Sequence, residues 1–174
     1  MLLYANKPLS FNEKGVDCSV NLKDGELFYL VFSDHQENRK SININEATEA
    51  DAFQSTINFW RKWLSQSTYK GRWREMVHRS ALTLKLLTYE PTGAIVAALT
   101  TSLPEHIGGE RNWDYRFTWI RDAAFTVYAF MRIGFTQEAM RFMEFIEARV
   151  KSNEDDQPLQ IMYGIHGETK LTEQ

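Results

Sequence analysis

Apolar positions along the chain change period twice, and the change divides it. From Leu3 to about Ile44 the pattern is that of strands. Ser19-Val20-Asn21-Leu22 alternates polar and apolar, and Leu27 to Phe32 is a run of β-formers. Between them Asp24-Gly25 is a tight-turn pair, so a hairpin is expected around Lys23 to Glu26. Ile42 and Ile44 could mark a further short strand. Two or three strands are too few to cover their own edges, so this region reads as the end of a larger β-domain.

Helical spacing then takes over. Phe53, Ile57, Trp60 and Leu64 share one face, with Arg61, Lys62 and Gln66 turned away. A second run, Trp73, Val77, Ala81, Leu84 and Leu87, ends at Tyr89-Glu90-Pro91-Thr92-Gly93, where Pro91 disfavours helix at Glu90. Ala94 to Leu99 is short and apolar, a strand or a buried connection. A loop with Pro104 and Gly108-Gly109 follows. From about Arg121 the spacing is strongly helical. Ala123, Ala124, Val127, Phe130 and Met131 form one face, and Gly134 is placed to end the helix. Thr136 can open the next helix, whose apolar face is Ala139, Phe142, Met143, Ile146 and Val150. Its Glu138, Glu144 and Glu147 read as a solvated face, with Glu147 and Lys151 spaced for an ion pair. Ser152 to Gln157 is a polar loop, and Leu159 to Gly164 begins another buried element. Two helices joined through Gly134-Phe135 make an antiparallel hairpin, the unit of helical bundles and barrels.

Composition narrows the function. With 43% hydrophobic and 25% charged residues over 174 positions, the chain is ordinary globular protein. A net charge of −3 gives no basic surplus for nucleic acid or an anionic membrane. No segment approaches the ~20 apolar residues that span a bilayer, and no signal peptide is visible. Cys18 is alone, so neither an intrachain disulfide nor a cysteine-rich metal site can form, and a cytoplasmic, reducing location is expected. The four histidines are widely separated, with no metal-ligand spacing, and no cofactor is expected. Gly108-Gly109 lacks the lysine and hydroxyl of a phosphate loop. Aromatics, at 13% with five Trp, are the departure from the ordinary, and most would be core.

The densest chemistry is in Asn112-Trp113-Asp114-Tyr115-Arg116-Phe117-Thr118-Trp119-Ile120-Arg121-Asp122. Buried Arg and Asp must be paired to offset desolvation, which makes this a poor core segment. As a sugar pocket it has the needed parts. An indole covers the apolar face of a pyranose, a carboxylate accepts from neighbouring hydroxyls, and a guanidinium donates in a fixed fork. The residues alone also fit a structural Arg–Asp network joining a loop to a helix. Asp122 near a helix start has a plain role too, offsetting unpaired N–H groups.

The stretch Ile107-Gly108-Gly109, then Arg111 to Arg116, running into Trp119-Ile120-Arg121-Asp122-Ala123, closely resembles the signature of glycoside hydrolase family 15. Pro91 to Ala98, Thr100 to Glu105 and Leu159 to Ile165 resemble it as well. The likeness is strong from about Tyr69 to Ile165 and weak before it. That family holds glucoamylases, glucodextranases and some trehalases. The resemblance implies a mainly α fold with an N-terminal β portion: residues 1–50 as the C-terminal part of a β-sandwich, 51–92 as linker helices, and 93–174 as the start of an (α/α)6 barrel. It implies an inverting exo-acting α-glucosidase acting on α-linked di- or oligosaccharides. Arg121 and Asp122 would grip hydroxyls of the terminal glucose, Trp119 would line that pocket, and Tyr115 would stand beside it. Asn112, Trp113, Asp114 and Arg116 would have supporting roles. Catalysis in the family needs two glutamates, and both belong to motifs beyond the point corresponding to Gln174. None of the glutamates here matches either, so the chain alone is expected to be inactive and poorly stable. A non-catalytic sugar-binding or interaction protein on the same fold is the alternative. Trehalose, maltose-type and dextran-type substrates share the glucose that these residues would hold.

Overall fold

The strand-rich N-terminal segment folds by long-range pairing. The computed structural model describes residues 2–33, 46–100, 106–152 and 158–172. Strand β1 (Leu2–Ala5) runs antiparallel to β4 (Leu30–Ser33), in a register that sets Leu3 opposite Phe32 and Tyr4 opposite Val31. Asn6 extends the pairing with its side chain: Nδ2 donates to the Leu27 carbonyl at 3.0 Å, and Oδ1 accepts the Tyr29 N–H at 2.9 Å.

This corrects the expected hairpin. Asp24-Gly25 does turn the chain, with the Glu26 N–H donating to the Lys23 carbonyl at 3.0 Å. However, Ser19 to Leu22 is not a strand, and the backbone of the following β-run is taken by β1 and Asn6 instead. The hairpin that does form joins β2 (Ser10–Asn12) to β3 (Gly15–Asp17). Asn12 Oδ1 accepts the Lys14 N–H at 2.8 Å, an Asx turn that closes it. Ile42 and Ile44 lie outside the described residues.

Four helices are described: α1 (Glu46–Leu64), α2 (Arg74–Leu86), α3 (Ile120–Ile133) and α4 (Thr136–Ser152). The chain falls into two units, Met1–Trp63 and Leu64–Gln174. In the first, α1 buries Trp63, against which Trp60 sits edge-on at 6.1 Å. Phe53, expected on the buried face, is exposed.

The second unit is built around the α3–α4 hairpin. Gly134 ends α3 at φ +97°, a conformation costly for any residue with a Cβ. A Cβ there would also lie 2.8 Å from the Thr68 methyl. Phe130 and Phe135 pack edge-on across the turn, both fully buried. The core then runs through Ala123 of α3 and Phe142 and Phe145 of α4 to Tyr163, with Ala94 and Ile95 beneath them.

Ala94 to Val96 is a buried connection, tied to the end of α2 by the Tyr89 N–H to Ala94 carbonyl and Val96 N–H to Leu87 carbonyl bonds. Gly93 before it, at φ +79°, lies where a Cβ would sit 2.4 Å from the Arg141 carbonyl, so only glycine lets this turn approach α4. The last element, β6 (Met162–Tyr163), pairs antiparallel with the short β5 (Thr118–Trp119) just before α3.

Several helix-face expectations need correction. Ala124 and Met131 of α3 and Met143 and Val150 of α4 are exposed, whereas Phe145 is 3% exposed and central. The reason is that α3 and α4 each bury one narrow stripe here, narrower than the apolar arc in the sequence. Glu138, expected on the solvated face, is 5% exposed, and its carboxylate meets Lys85 Nζ of α2 at 3.0 Å. Burial of that carboxylate is tolerable because it is paired. Glu147 and Lys151 do form the expected surface pair, at 2.6 Å.

Candidate functional site

The aromatic and charged segment ahead of α3 is held from both sides. On one side the Ala98 and Ala97 N–H groups donate to the Tyr115 and Phe117 carbonyls at 2.8 and 3.2 Å. On the other, β5 pairs with β6, and the Ile120 N–H donates to the Ile161 carbonyl at 3.0 Å. These bonds deliver Trp119 at the N-terminal boundary of α3, with extended backbone and no side-chain cap. Arg121 and Asp122 follow in the first turn.

Three of the four expected site residues come together there. Arg121 donates to Asp122 Oδ2 through Nε at 3.2 Å and Nη2 at 2.9 Å. Its guanidinium carbon lies 5.7 Å from the centre of the Trp119 ring, within cation–π reach. The side chains of Arg121 and Asp122 are 71% and 38% exposed, so the pair faces open space. Tyr115 is half-buried, and its position is fixed through the Ala98 bond to its carbonyl. Of the supporting residues, Asn112 and Trp113 are exposed.

The arrangement has defined chemical capacity. Asp122 has acceptor sites for hydroxyl donors, and Arg121 keeps an Nη1 donor group aimed away from the pair. The positive end of α3 lies beneath them and favours an anion or a polarised oxygen. The Trp119 ring supplies a flat apolar face next to these polar groups. Vicinal hydroxyls on a ring with an apolar C–H face match that set. Asp122 also performs its plain role in the first turn of the helix.

A more buried network lies immediately upstream. Asp114 is 2% exposed, and its carboxylate accepts Arg116 Nε at 3.0 Å and Nη2 at 2.7 Å in a bidentate fork. The Arg116 backbone N–H adds a third bond at 3.0 Å, which makes the segment an Asx turn. Hydrogen bonding from the Arg116 side chain holds the Asp114 carboxyl below its ordinary range, against the opposing pull of burial. The Asp114 carbonyl accepts the Trp119 indole N–H at 3.0 Å. From the sequence these residues had only supporting roles. The signal that could have found the fork is the spacing itself, since Asp at i reaches the N–H of i+2 in an Asx turn.

Asp114 and Arg116 also line a cleft of ≈ 400 Å³ with Glu168 and Lys170. Glu168 is occupied locally: its Oε2 accepts the His166 N–H at 3.0 Å and its carbonyl accepts the Gly164 N–H at 3.0 Å. Glu110 and Glu144 are exposed, and Glu105 and Glu154 lie outside the described residues. Among the described residues, no three His, Cys, Asp or Glu side chains are grouped to hold a metal ion, and no helix is long and apolar enough to cross a membrane.

Comparison with known proteins gives this site a lineage. The model of the glycosyl hydrolases family 15 matches residues 71–174, which include the whole of the Trp119–Arg121–Asp122 site. A trehalase of Thermoplasma acidophilum is 61% identical over 90 residues, covering 52% of this chain and 16% of that protein. A trehalase of Mycobacterium tuberculosis is 48% identical over 126 residues, covering 71% and 18%. A glucoamylase of a Clostridium species is 23% identical over 140 residues, covering 77% and 20%. No solved structure gives a significant match. The chain spans between 14% and 22% of the length of the curated relatives it matches. The match over more than half of the chain, through the segment that builds the site, makes it a member of glycoside hydrolase family 15.

Proposed function

We propose that the protein carrying this chain is an inverting, exo-acting α-glucosidase that releases glucose from the non-reducing end of an α-linked di- or oligosaccharide. The observation that carries this reading is the exposed Arg121–Asp122 pair beside the Trp119 ring at the start of α3. Asp122 accepts from two hydroxyls of the terminal glucose and Arg121 donates to them, while the indole covers the apolar sugar face. Tyr115 stands at the edge of that pocket. The family's architecture gives residues 1–50 to a β-sandwich, 51–92 to linker helices and 93–174 to the first part of an (α/α)6 barrel. The strands and the α3–α4 hairpin are compatible with those assignments. The free Cys18 fits a reducing compartment, and we place the enzyme in the cytoplasm.

Inversion needs one carboxylic acid to protonate the leaving oxygen and a second carboxylate to activate water across the ring, about 6.5–9.5 Å away. No motif around Glu105, Glu110, Glu138, Glu144, Glu147, Glu154 or Glu168 matches either of the family's catalytic motifs, so both groups come from further segments and these 174 residues alone do not turn over substrate. Trehalose is the first substrate to try, because trehalases dominate the similar relatives.

The test is glucose release by the complete protein from trehalose, maltose and isomaltose, with Asp122→Ala alongside. Loss of one charged hydrogen bond to substrate, worth about 1.5–3 kcal/mol, lowers kcat/KM by roughly ten- to a hundredfold, and loss of both lowers it at least about a hundredfold, for every substrate. Undiminished turnover in that variant removes Asp122 from the site. Sugar binding without turnover in the wild type identifies a non-catalytic carbohydrate-binding protein instead.

A further inference from the structure

We infer that Asp114 is a positioning residue for the glucose subsite, acting through the Trp119 indole. The inference rests on the subsite reading above. Its basis is a continuous relay of contacts. The Trp119 N–H ends on the Asp114 carbonyl at 3.0 Å. The residue bearing that carbonyl is 2% exposed, and three bonds from Arg116 fix its carboxylate. The residues on either side of Arg116 are clamped by Ala97 and Ala98. The backbone that carries the indole is fixed by the pairing of Trp119 with Met162. With its N–H and its backbone both tethered, the ring is held in one orientation.

What that ring orients is Arg121. A 71% exposed arginine samples many rotamers in water, and immobilising such a side chain carries an entropic cost. Here the guanidinium lies over the indole, 5.7 Å from its centre, and is bonded to Asp122, contacts that favour this rotamer before sugar arrives. The direction of the Arg121 donors is then set by the ring, the ring by the Asp114 carbonyl, and that carbonyl by the Asp114–Arg116 fork. Asp114 touches neither the proposed sugar position nor any reacting atom in this account. It acts through another side chain, and misplacement of a positioned group by about 1 Å can cost a hundredfold in rate.

A purely structural role for Asp114 would be to stabilise its own turn, and a double-mutant cycle separates the two. In the complete protein, kcat and KM for trehalose and the thermal midpoint are measured for Asp114→Asn, Trp119→Phe and the pair. Trp119→Phe keeps a ring but deletes the N–H that reads the Asp114 carbonyl. The account predicts that Asp114→Asn lowers kcat/KM by about tenfold alone but by less than about twofold in the Trp119→Phe background. The drop in thermal midpoint is the same in both. Equal losses of kcat/KM in the two backgrounds overturn the positioning role, while leaving the subsite reading intact. A Trp119→Phe enzyme with unchanged kinetics shows that the indole N–H tether sets nothing in the subsite and likewise overturns the positioning role, whereas the subsite reading is tested by Asp122→Ala. Should Asp114→Asn fail to fold, Arg116→Lys gives the same cycle, because lysine cannot form the fork.

Discussion

Asp114 and Asp122 sit eight positions apart in the same segment, and their surroundings assign them different work. Asp122 is partly exposed, paired with one arginine, and open to a ligand. Asp114 is buried and saturated by the fork from Arg116. Because the fork depresses the folded-state pKa of Asp114, its stabilising contribution is complete above the unfolded value, about 3.9, and is lost as pH falls through the folded value. The difference in thermal midpoint between wild type and Asp114→Asn is therefore expected to be flat from pH 7 to about pH 5 and to shrink towards pH 3. Melting curves across that range check it, and a difference that grows on acidification contradicts it. At this scale the sequence was partly legible. Residue types singled out the whole segment from Asn112 to Asp122, and the family resemblance chose Trp119, Arg121 and Asp122 within it. The bond from the Trp119 N–H to a main-chain carbonyl left no such trace, because any residue offers a carbonyl.

At the scale of elements, helices were read more truly than strands. Period 3.6 is local, so α2, α3 and α4 and the glycine between the last two follow from the spacing alone. Strand pairing is not local: β1 finds β4 across the intervening β2–β3 hairpin, and Asn6 outcompetes the segment before Asp24-Gly25 for the Leu27 and Tyr29 backbone. The β2–β3 hairpin is exposed at every strand position, and with three residues a side its alternation, Phe11 opposite Val16, is too short to stand out. The buried Glu138 was missed for a related reason, since its partner Lys85 is on another helix and a charge on a helix face is ordinarily solvated. Two stability predictions belong here. Glu138→Ala leaves Lys85, which is 19% exposed, without this partner, and such breaks cost about 3 kcal/mol. Gly134→Ala forces an alanine to φ +97° against Thr68, costing about 1–2 kcal/mol. Thermal or denaturant midpoints measure both. A Glu138→Ala protein as stable as wild type would show that the ion pair does not hold α2 to α4.

At the scale of the whole molecule, the second unit buries one side of a helical hairpin and leaves much apolar surface open. Phe125, Tyr128 and Met131 on α3 and Met140 and Met143 on α4 are all more than half exposed. That exposure fits a chain that spans at most 22% of its relatives' length, and it is the surface that further helices of the proposed barrel would cover. The apolar arcs read on α3 and α4 are wider than the stripes these helices bury, which leaves Ala124, Met131, Met143 and Val150 exposed. The family is legible because the site segment carries many specific residues close together. The substrate is not, since the terminal glucose is common to all the α-glucosides considered.

The proposed enzyme inverts an α-glucosidic carbon with the terminal glucose held by Arg121 and Asp122. The most direct measurement follows trehalose hydrolysis by the complete protein with time-resolved proton NMR of the anomeric signals. Inverting attack converts one glucose to the β anomer while the other departs as α, so the account predicts equal initial amounts of the two. Initial release of α-glucose alone, or hydrolysis that survives Asp122→Ala unchanged, would contradict it.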